Sequence, residues 1–186
     1  MLQISGQAAK LQQLIKGLLD LAQTGFDGQK LAWVKIRLDE LLFEVKDSVD
    51  AILPGNDIVV CVGEMPEDES RLYISGTRDI LKVGISNVVL NACKYSDNKR
   101  VELRLHFDEK FGVITVADKG IGIPEEEQRY IYDPFFRASN TDNYEGYGIG
   151  MPLTNNIIRI HKGKINVQSA VGTGTVVEIK LPLSNK

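Results

Sequence analysis

Three short segments in fixed order constrain this 186-residue chain more than anything else in it. Residues 87–95 read Asn-Val-Val-Leu-Asn-Ala-Cys-Lys-Tyr, residues 118–124 read Asp-Lys-Gly-Ile-Gly-Ile-Pro, and residues 146–151 read Gly-Tyr-Gly-Ile-Gly-Met. The first offers amides and an ammonium on a helix. The second offers a lone carboxylate beside flexible backbone, and the third a glycine run that opens another helix. Together they supply the parts of one nucleotide pocket, although each alone has a bland reading.

In residues 79–95 the apolar positions Ile80, Val83, Val88 and Leu90 fit a helix better than a strand. Asn87, Asn91 and Lys94 recur at spacings of four and three, so they share one face. Asn is a poor helix former and is costly to bury without a partner. Its amide oxygen is a hard ligand that suits Mg²⁺, and a lysine one turn on can meet phosphate charge. A solvated polar stripe on a surface helix would look the same.

Residues 112–118 alternate and are rich in β-branched side chains, which predicts a strand ending at Asp118. Gly120 and Gly122 let backbone approach a flat ligand, and Pro124 before Glu125, Glu126 and Glu127 reads as the first turn of a helix. A carboxylate so placed can accept a hydrogen bond from an exocyclic amine such as that of adenine. An ordinary Asp-Lys-Gly turn is the plain alternative. After Gly146, Gly148 and Gly150, Pro152 suits a first helical position, so backbone N–H groups and the helix dipole would face an anion. No Gly-Lys-Ser/Thr follows, which argues against a Walker loop, and a dinucleotide-binding fingerprint would come after the first strand.

This order of motifs resembles the catalytic and ATP-binding domain of sensor histidine kinases, in the superfamily shared with gyrase, mismatch-repair and large heat-shock chaperone ATPases. Residues 87–95 are similar to its asparagine box, 118–124 to its first glycine box and 146–151 to its second. Residues 131–137, Ile-Tyr-Asp-Pro-Phe-Phe-Arg, resemble the phenylalanine box that separates histidine kinases from the chaperones, and residues 172–182 resemble the closing hairpin. The resemblance implies ATP as substrate and Asn91 as the Mg²⁺ ligand, with Asn87 and Lys94 near the phosphates and Tyr95 against the nucleotide. It implies that Asp118 takes the adenine amine, with Thr175 helping through water. Gly120 and Gly122 would shape the base pocket, and Gly146, Gly148 and Gly150 the mobile end of an ATP lid. Ile123, Ile149 and Met151 would form its apolar wall, with Arg137 a lid contact. The polar, aperiodic stretch 139–147 suits a loop ordered over nucleotide.

Ile4, Ala8, Leu11, Ile15, Leu18 and Ala22 follow a 4-3-4-3-4 spacing, widened by Leu14 and Leu21, which is the seam of a helical bundle. So apolar a helix needs a partner, unless it packs on its own domain. Residues 11–21 resemble the end of the second helix of the family's dimerisation hairpin. The family's acceptor histidine is missing. His106 falls in an alternating strand and His161 at a helix C-terminus, where a basic residue followed by glycine is favoured. The chain thus reads as a fragment that starts partway along the hairpin, with no complete catalytic set of its own.

The length permits a sizeable core, and a formal charge of −3 with pI near 5.5 argues against nucleic acid as a partner. No apolar run reaches membrane-span length and no signal peptide is visible, so a cytoplasmic setting without membrane contact is expected. The resemblance leaves room for an inner-membrane anchor elsewhere in a longer parent. Cys61 and Cys93 lack metal-ligand spacing and read as buried thiols in a reducing compartment, and with two His they are too scattered for zinc.

The expected layout is a bundle-forming helix over 1–24, a linker over 25–30 and one catalytic ATP-binding domain over 31–186. Strands are expected near 31–37, 57–62, 71–75, 100–107, 112–118, 164–169 and 174–181, and helices near 39–52, 79–95, 125–132 and 152–162. That pattern predicts an α/β (α+β) two-layer sandwich with helices on one face of a mixed sheet. The resemblance makes it a Bergerat-type ATP-binding fold. It further implies transfer of the ATP γ-phosphoryl to a histidine on the parent's own phosphotransfer hairpin, a homodimeric parent, and relay to a response-regulator receiver domain. A stand-alone ATPase or serine kinase of the superfamily would use the same pocket but leaves the heptad helix without a mate. A nucleotide-binding scaffold without catalysis conflicts with three intact boxes.

Overall fold

The computed structural model describes residues 33–184, so the heptad segment 1–24 and the linker 25–30 lie outside the described residues. In chain order the elements are β1 (Val34–Arg37), α1 (Leu38–Ile52), β2 (Ile58–Val62), β3 (Tyr73–Gly76), α2 (Arg78–Tyr95), β4 (Val101–Phe107), β5 (Phe111–Ala117), α3 (Gly150–Ile160), β6 (Lys164–Ala170) and β7 (Gly174–Pro182). Short 3₁₀ turns occupy Glu69–Leu72, Glu125–Tyr130 and Ser139–Thr141.

Period-two alternation makes the main sheet. In β4, Val101, Leu103 and Leu105 are buried while Arg104 and His106 are exposed, so one face is apolar and the other wet. The strand order is β2-β4-β5-β7-β6; β2 runs parallel to β4 and every other neighbouring pair is antiparallel. β1 and β3 form a separate antiparallel pair, tied to the main sheet's end by a bridge from Ile74 to Leu183.

Period 3.6 makes the second layer. Leu38, Leu41, Leu42, Val45 and Val49 face inward from α1, and Leu153, Ile157 and Ile158 from α3. All pack in one core with Leu103, Leu105, Ile114, Val116, Val177, Ile179 and Leu181 of the sheet. Helices therefore lie on one face of a mixed sheet, as the patterning predicts.

Several details differ. The inward stripe of α2 is Leu81, Ile85, Val88, Val89 and Ala92, whereas Val83 is exposed, so the stripe is rotated from the one the sequence suggested. Residues 125–130 form a 3₁₀ turn rather than an α-helix, with none of its residues buried. Three adjacent glutamates and no apolar stripe leave nothing to stabilise a longer helix, and Pro124 precedes the turn with extended backbone. Helix α3 starts at Gly150, so Pro152 is its third residue; it is still among the positions whose N–H has no intrahelical acceptor. Cys61 is exposed because it lies on the wet face of β2; only Cys93 is buried, and burial pushes its thiol up to about 11. Gly84, a residue type that weakens a helix interior, is where α3 crosses closely: a Cβ there would lie 3.2 Å from Ile157 Cγ2, and Thr154 Oγ1 donates to the Gly84 carbonyl at 3.1 Å.

His161 is not a charged helix C-cap. It is 2% exposed, its Nδ1 lies 2.7 Å from the Ile157 carbonyl, and its Nε2 accepts the Thr77 N–H at 3.0 Å. The ring thus joins the end of α3 to the start of α2. Burial lowers its pKa from the ordinary 6.5, because the charged form loses hydration and Nε2 must stay unprotonated to accept. The unfolded chain then binds the proton more tightly than the folded one. The stabilisation is complete above about pH 6.5 and is lost as the pH falls through the window below it. Urea midpoints between about pH 8 and about pH 5 are expected to drop in that window, and His161→Asn to flatten that part of the profile.

Candidate active site

A cleft of about 1130 Å³ opens between α2, α3, the loop after β5 and the segment from Ile131 to Ile149. Val116, Val167 and Val177 contribute apolar lining from the sheet. Asn87, Asn91, Lys94 and Tyr95 line it from α2. Asp118, Gly122 and Ile123 line it from the loop after β5, and Arg137, Gly146, Gly148, Ile149, Gly150, Met151 and Thr175 complete the set. Gly120 is the exception among the sequence-selected residues. A Cβ on it would overlap the Tyr95 carbonyl, so it permits the loop to pack on the end of α2 instead of facing the cleft.

Asp118 sits one residue beyond the end of β5. Its Oδ1 accepts the Gly120 N–H at 2.8 Å and the Thr175 N–H at 3.3 Å. The carboxyl is held above its ordinary pKa by burial, with those two N–H groups pulling the other way. Oδ2 takes no hydrogen bond from the described residues. Thr175 Oγ1 lies 2.8 Å from Ser169 Oγ, which accepts the Ile123 N–H at 2.8 Å. The floor beneath Asp118 is thus a connected polar network.

Across the cleft, the amides of Asn87 and Asn91 make no hydrogen bond to the described residues, and both lie near Gly150 at the start of α3. A neutral hard oxygen fits Mg²⁺ that takes its remaining ligands from phosphates and water, and the helix N-terminus nearby favours those phosphates. Among the described residues no cluster of three or more His, Cys, Asp or Glu could hold a metal. Lys94 is already engaged: its ammonium donates to the Glu145 carbonyl at 2.7 Å and stands 4.1 Å from the centre of the Tyr95 ring.

The covering segment is braced by the chain's own bonds rather than being shapeless. Arg137 donates to the carbonyls of Thr141 and Tyr144 at 2.6 and 2.5 Å, and Asn140 donates to the Gly122 carbonyl at 2.9 Å. The Phe135 N–H donates to the Gly148 carbonyl at 2.9 Å, where a side chain on Gly148 would overlap the Phe136 carbonyl. Arg137 therefore shapes the segment from within. Tyr144, which lines the cleft and stacks edge-on against Tyr95 at 5.2 Å, was not legible in the sequence: it is one aromatic residue in a polar loop.

The family described as histidine kinase-, DNA gyrase B-, and HSP90-like ATPase matches residues 76–185. The chain belongs to this family. Its relatives include the adaptive-response sensory kinase SasA of Crocosphaera subtropica, 28% identical over 97% of this chain and 47% of that protein. Sensor protein kinase PmrB of Pseudomonas aeruginosa is 28% identical over 98% of this chain and 38% of its own length. The chain thus spans less than half the length of these relatives. Among solved structures, the nucleotide-free catalytic domain of histidine kinase ThkA superposes with a TM-score of 0.68 at 25% identity, over 83% of this chain and all of that one. Full-length ShkA with AMPPNP shares the fold, at a TM-score of 0.78 and 20% identity, over 95% of this chain and 36% of that one. The domain is accordingly an ATP-binding catalytic domain of the sensor histidine kinase type. No described helix is long and apolar enough to cross a membrane.

Proposed function

We propose that this domain binds Mg·ATP in the cleft and passes the γ-phosphoryl to a histidine that lies outside the chain, on the phosphotransfer hairpin of its parent. The observation that carries the reading is the division of the cleft: a half-buried carboxylate with an open oxygen at one end, and two unbonded amides beside a helix N-terminus and an ammonium at the other. That is the polarity of an adenine nucleotide. Asp118 accepts from the exocyclic amine, Ile123, Ile149 and Met151 cover the base, and the N–H groups opening α3 face phosphate.

Asn91 is the residue that would hold Mg²⁺, with Asn87 beside it. When bound, the ion neutralises charge between the phosphates. Lys94 reaches phosphate by giving up the Glu145 carbonyl. Such transfer depends on in-line positioning and charge stabilisation more than on a dedicated base. His161 is excluded as acceptor because it is buried with both ring nitrogens committed, and His106 because it stands on the open sheet face. In this reading the parent is a homodimer, acts at the cytoplasmic side, and relays phosphate to a response-regulator aspartate. The names of the relatives, a sensor histidine kinase and a sensor protein kinase, support that reading.

The test is γ-labelled ATP with a separately made hairpin carrying the histidine. Acid-labile, base-stable label on the hairpin supports histidine transfer. Phosphate release without hairpin label would point to a plain ATPase, and label on a serine would sink the histidine reading.

A further inference from the structure

The end of α2 is built to hold the segment that covers the cleft. After Tyr95 the chain turns back through two consecutive left-handed residues, Asp97 at φ 54° and Asn98 at φ 57°. Asp and Asn are among the few side chains that adopt this conformation at small cost. The turn is fixed by the Asn98 N–H on the Cys93 carbonyl at 2.8 Å and by Ser96 Oγ, which bonds the Cys93 and Lys99 carbonyls. It presents the Asp97 carboxylate to Tyr144, whose hydroxyl donates to Asp97 Oδ1 at 3.0 Å across 47 residues of chain.

Tyr144 is held from its other sides too. Arg137 bonds its carbonyl, and its ring meets Tyr95 edge-on, at 65°. The neighbouring Glu145 carbonyl takes the Lys94 ammonium. Two teeth therefore join the covering segment to α2, both beside the amide end of the cleft. They are unlike chemically. Lys94 can exchange a neutral carbonyl for phosphate, whereas Tyr144 and Asp97 have no such competitor and can stay joined while nucleotide is bound.

We propose that Tyr144 and Asp97 form a latch that holds the lid shut over bound nucleotide and sets the rate at which nucleotide leaves. Both are positioning residues, and the inference rests on the nucleotide-binding reading given above. The hydrogen bond lies at the surface and carries no core packing, so its removal acts on lid opening rather than on folding.

The experiment is stopped-flow displacement of a fluorescent ADP analogue from the chain and four variants. Tyr144→Phe keeps the ring against Tyr95 and removes only the hydroxyl; Asp97→Gly removes the acceptor while keeping the left-handed backbone; Asp97→Asn keeps an acceptor oxygen. Tyr144→Phe and Asp97→Gly are each expected to speed dissociation about five- to tenfold, the net worth of one ordinary exposed hydrogen bond. The double variant should be no faster than either single one, and Asp97→Asn should stay near the rate of the unmodified chain. A purely local role in the turn would leave Asp97→Gly, which also accepts the left-handed backbone, at the unmodified rate. Unchanged dissociation in both single variants, or additive effects in the double, overturns the latch while leaving nucleotide binding intact. Absence of binding in the unmodified chain overturns the binding reading, and the latch with it.

Discussion

Asp118→Asn is expected to weaken ATP binding about a hundredfold while leaving the fold intact. The carboxylate has two jobs that this substitution separates. Oδ1 accepts the N–H groups of Gly120 and Thr175, and an Asn Oδ1 can do the same. Oδ2 is the acceptor left for the adenine amine, and an Asn puts an NH₂ donor there, so two donors face each other in a half-buried site. Losing a charge-assisted hydrogen bond and leaving a donor unpaired together account for that factor. The amide can instead donate to a 6-oxo purine, so the preference for ATP over ITP should shrink or reverse. Stability should move the other way. The folded carboxyl has its pKa raised by burial, so its ionised form costs stability at neutral pH, a cost absent below the unfolded pKa. Asn removes that cost, and urea unfolding near pH 7 should show the variant at least as stable as the unmodified chain. Weaker binding with lower stability would mean that Asp118 mainly serves the loop.

Gly122→Ala is expected to destabilise the domain by about 3 kcal/mol, from the left-handed backbone and the steric overlap together. Gly122 has φ of 68°, and a Cβ there would run into the Ala170 carbonyl at the end of β6. The backbone has no room to shift. The Ile121 carbonyl accepts the Gly172 N–H at 2.9 Å, and the Ile123 N–H is held by Ser169. The Gly122 carbonyl also takes Asn140 of the lid, so ATP binding should weaken along with stability. Gly55 is the control: its φ is 82° but nothing lies within 4 Å of its Cβ position. Gly55→Ala should therefore show the backbone part alone, about 1 kcal/mol. Equal losses at the two positions would refute the steric part of the argument.

What the sequence reveals and what it hides divide along physical lines. Strand β4 alternates over its seven residues and β7 from Val177 to Pro182, and α1 carries an unbroken apolar stripe, so their local pattern alone sets their faces. All the candidate site residues except Gly120 line one cleft because each motif sits at an element's end facing the same gap. Where the reading failed, distant partners decided. Gly84 looks weak in isolation and is required by the approach of Ile157; His161 is at the helix C-terminus where its sequence puts it, but it is buried there and joined to a second helix. The 3₁₀ turn at Glu125–Tyr130 was mistaken for a helix because Pro followed by acidic residues starts both, and only an apolar stripe would have told them apart. The pairing of Tyr144 with Asp97 has no local signature, since neither residue belongs to a periodic pattern.

The most direct measurement is calorimetric titration of the unmodified chain with ATP, with and without Mg²⁺. The account predicts one site per chain that tightens when Mg²⁺ is present and loses that Mg²⁺ dependence in Asn91→Ala. No detectable heat at millimolar ATP, or binding that ignores both Mg²⁺ and Asp118→Asn, would contradict the assignment of this cleft as a Mg·ATP site.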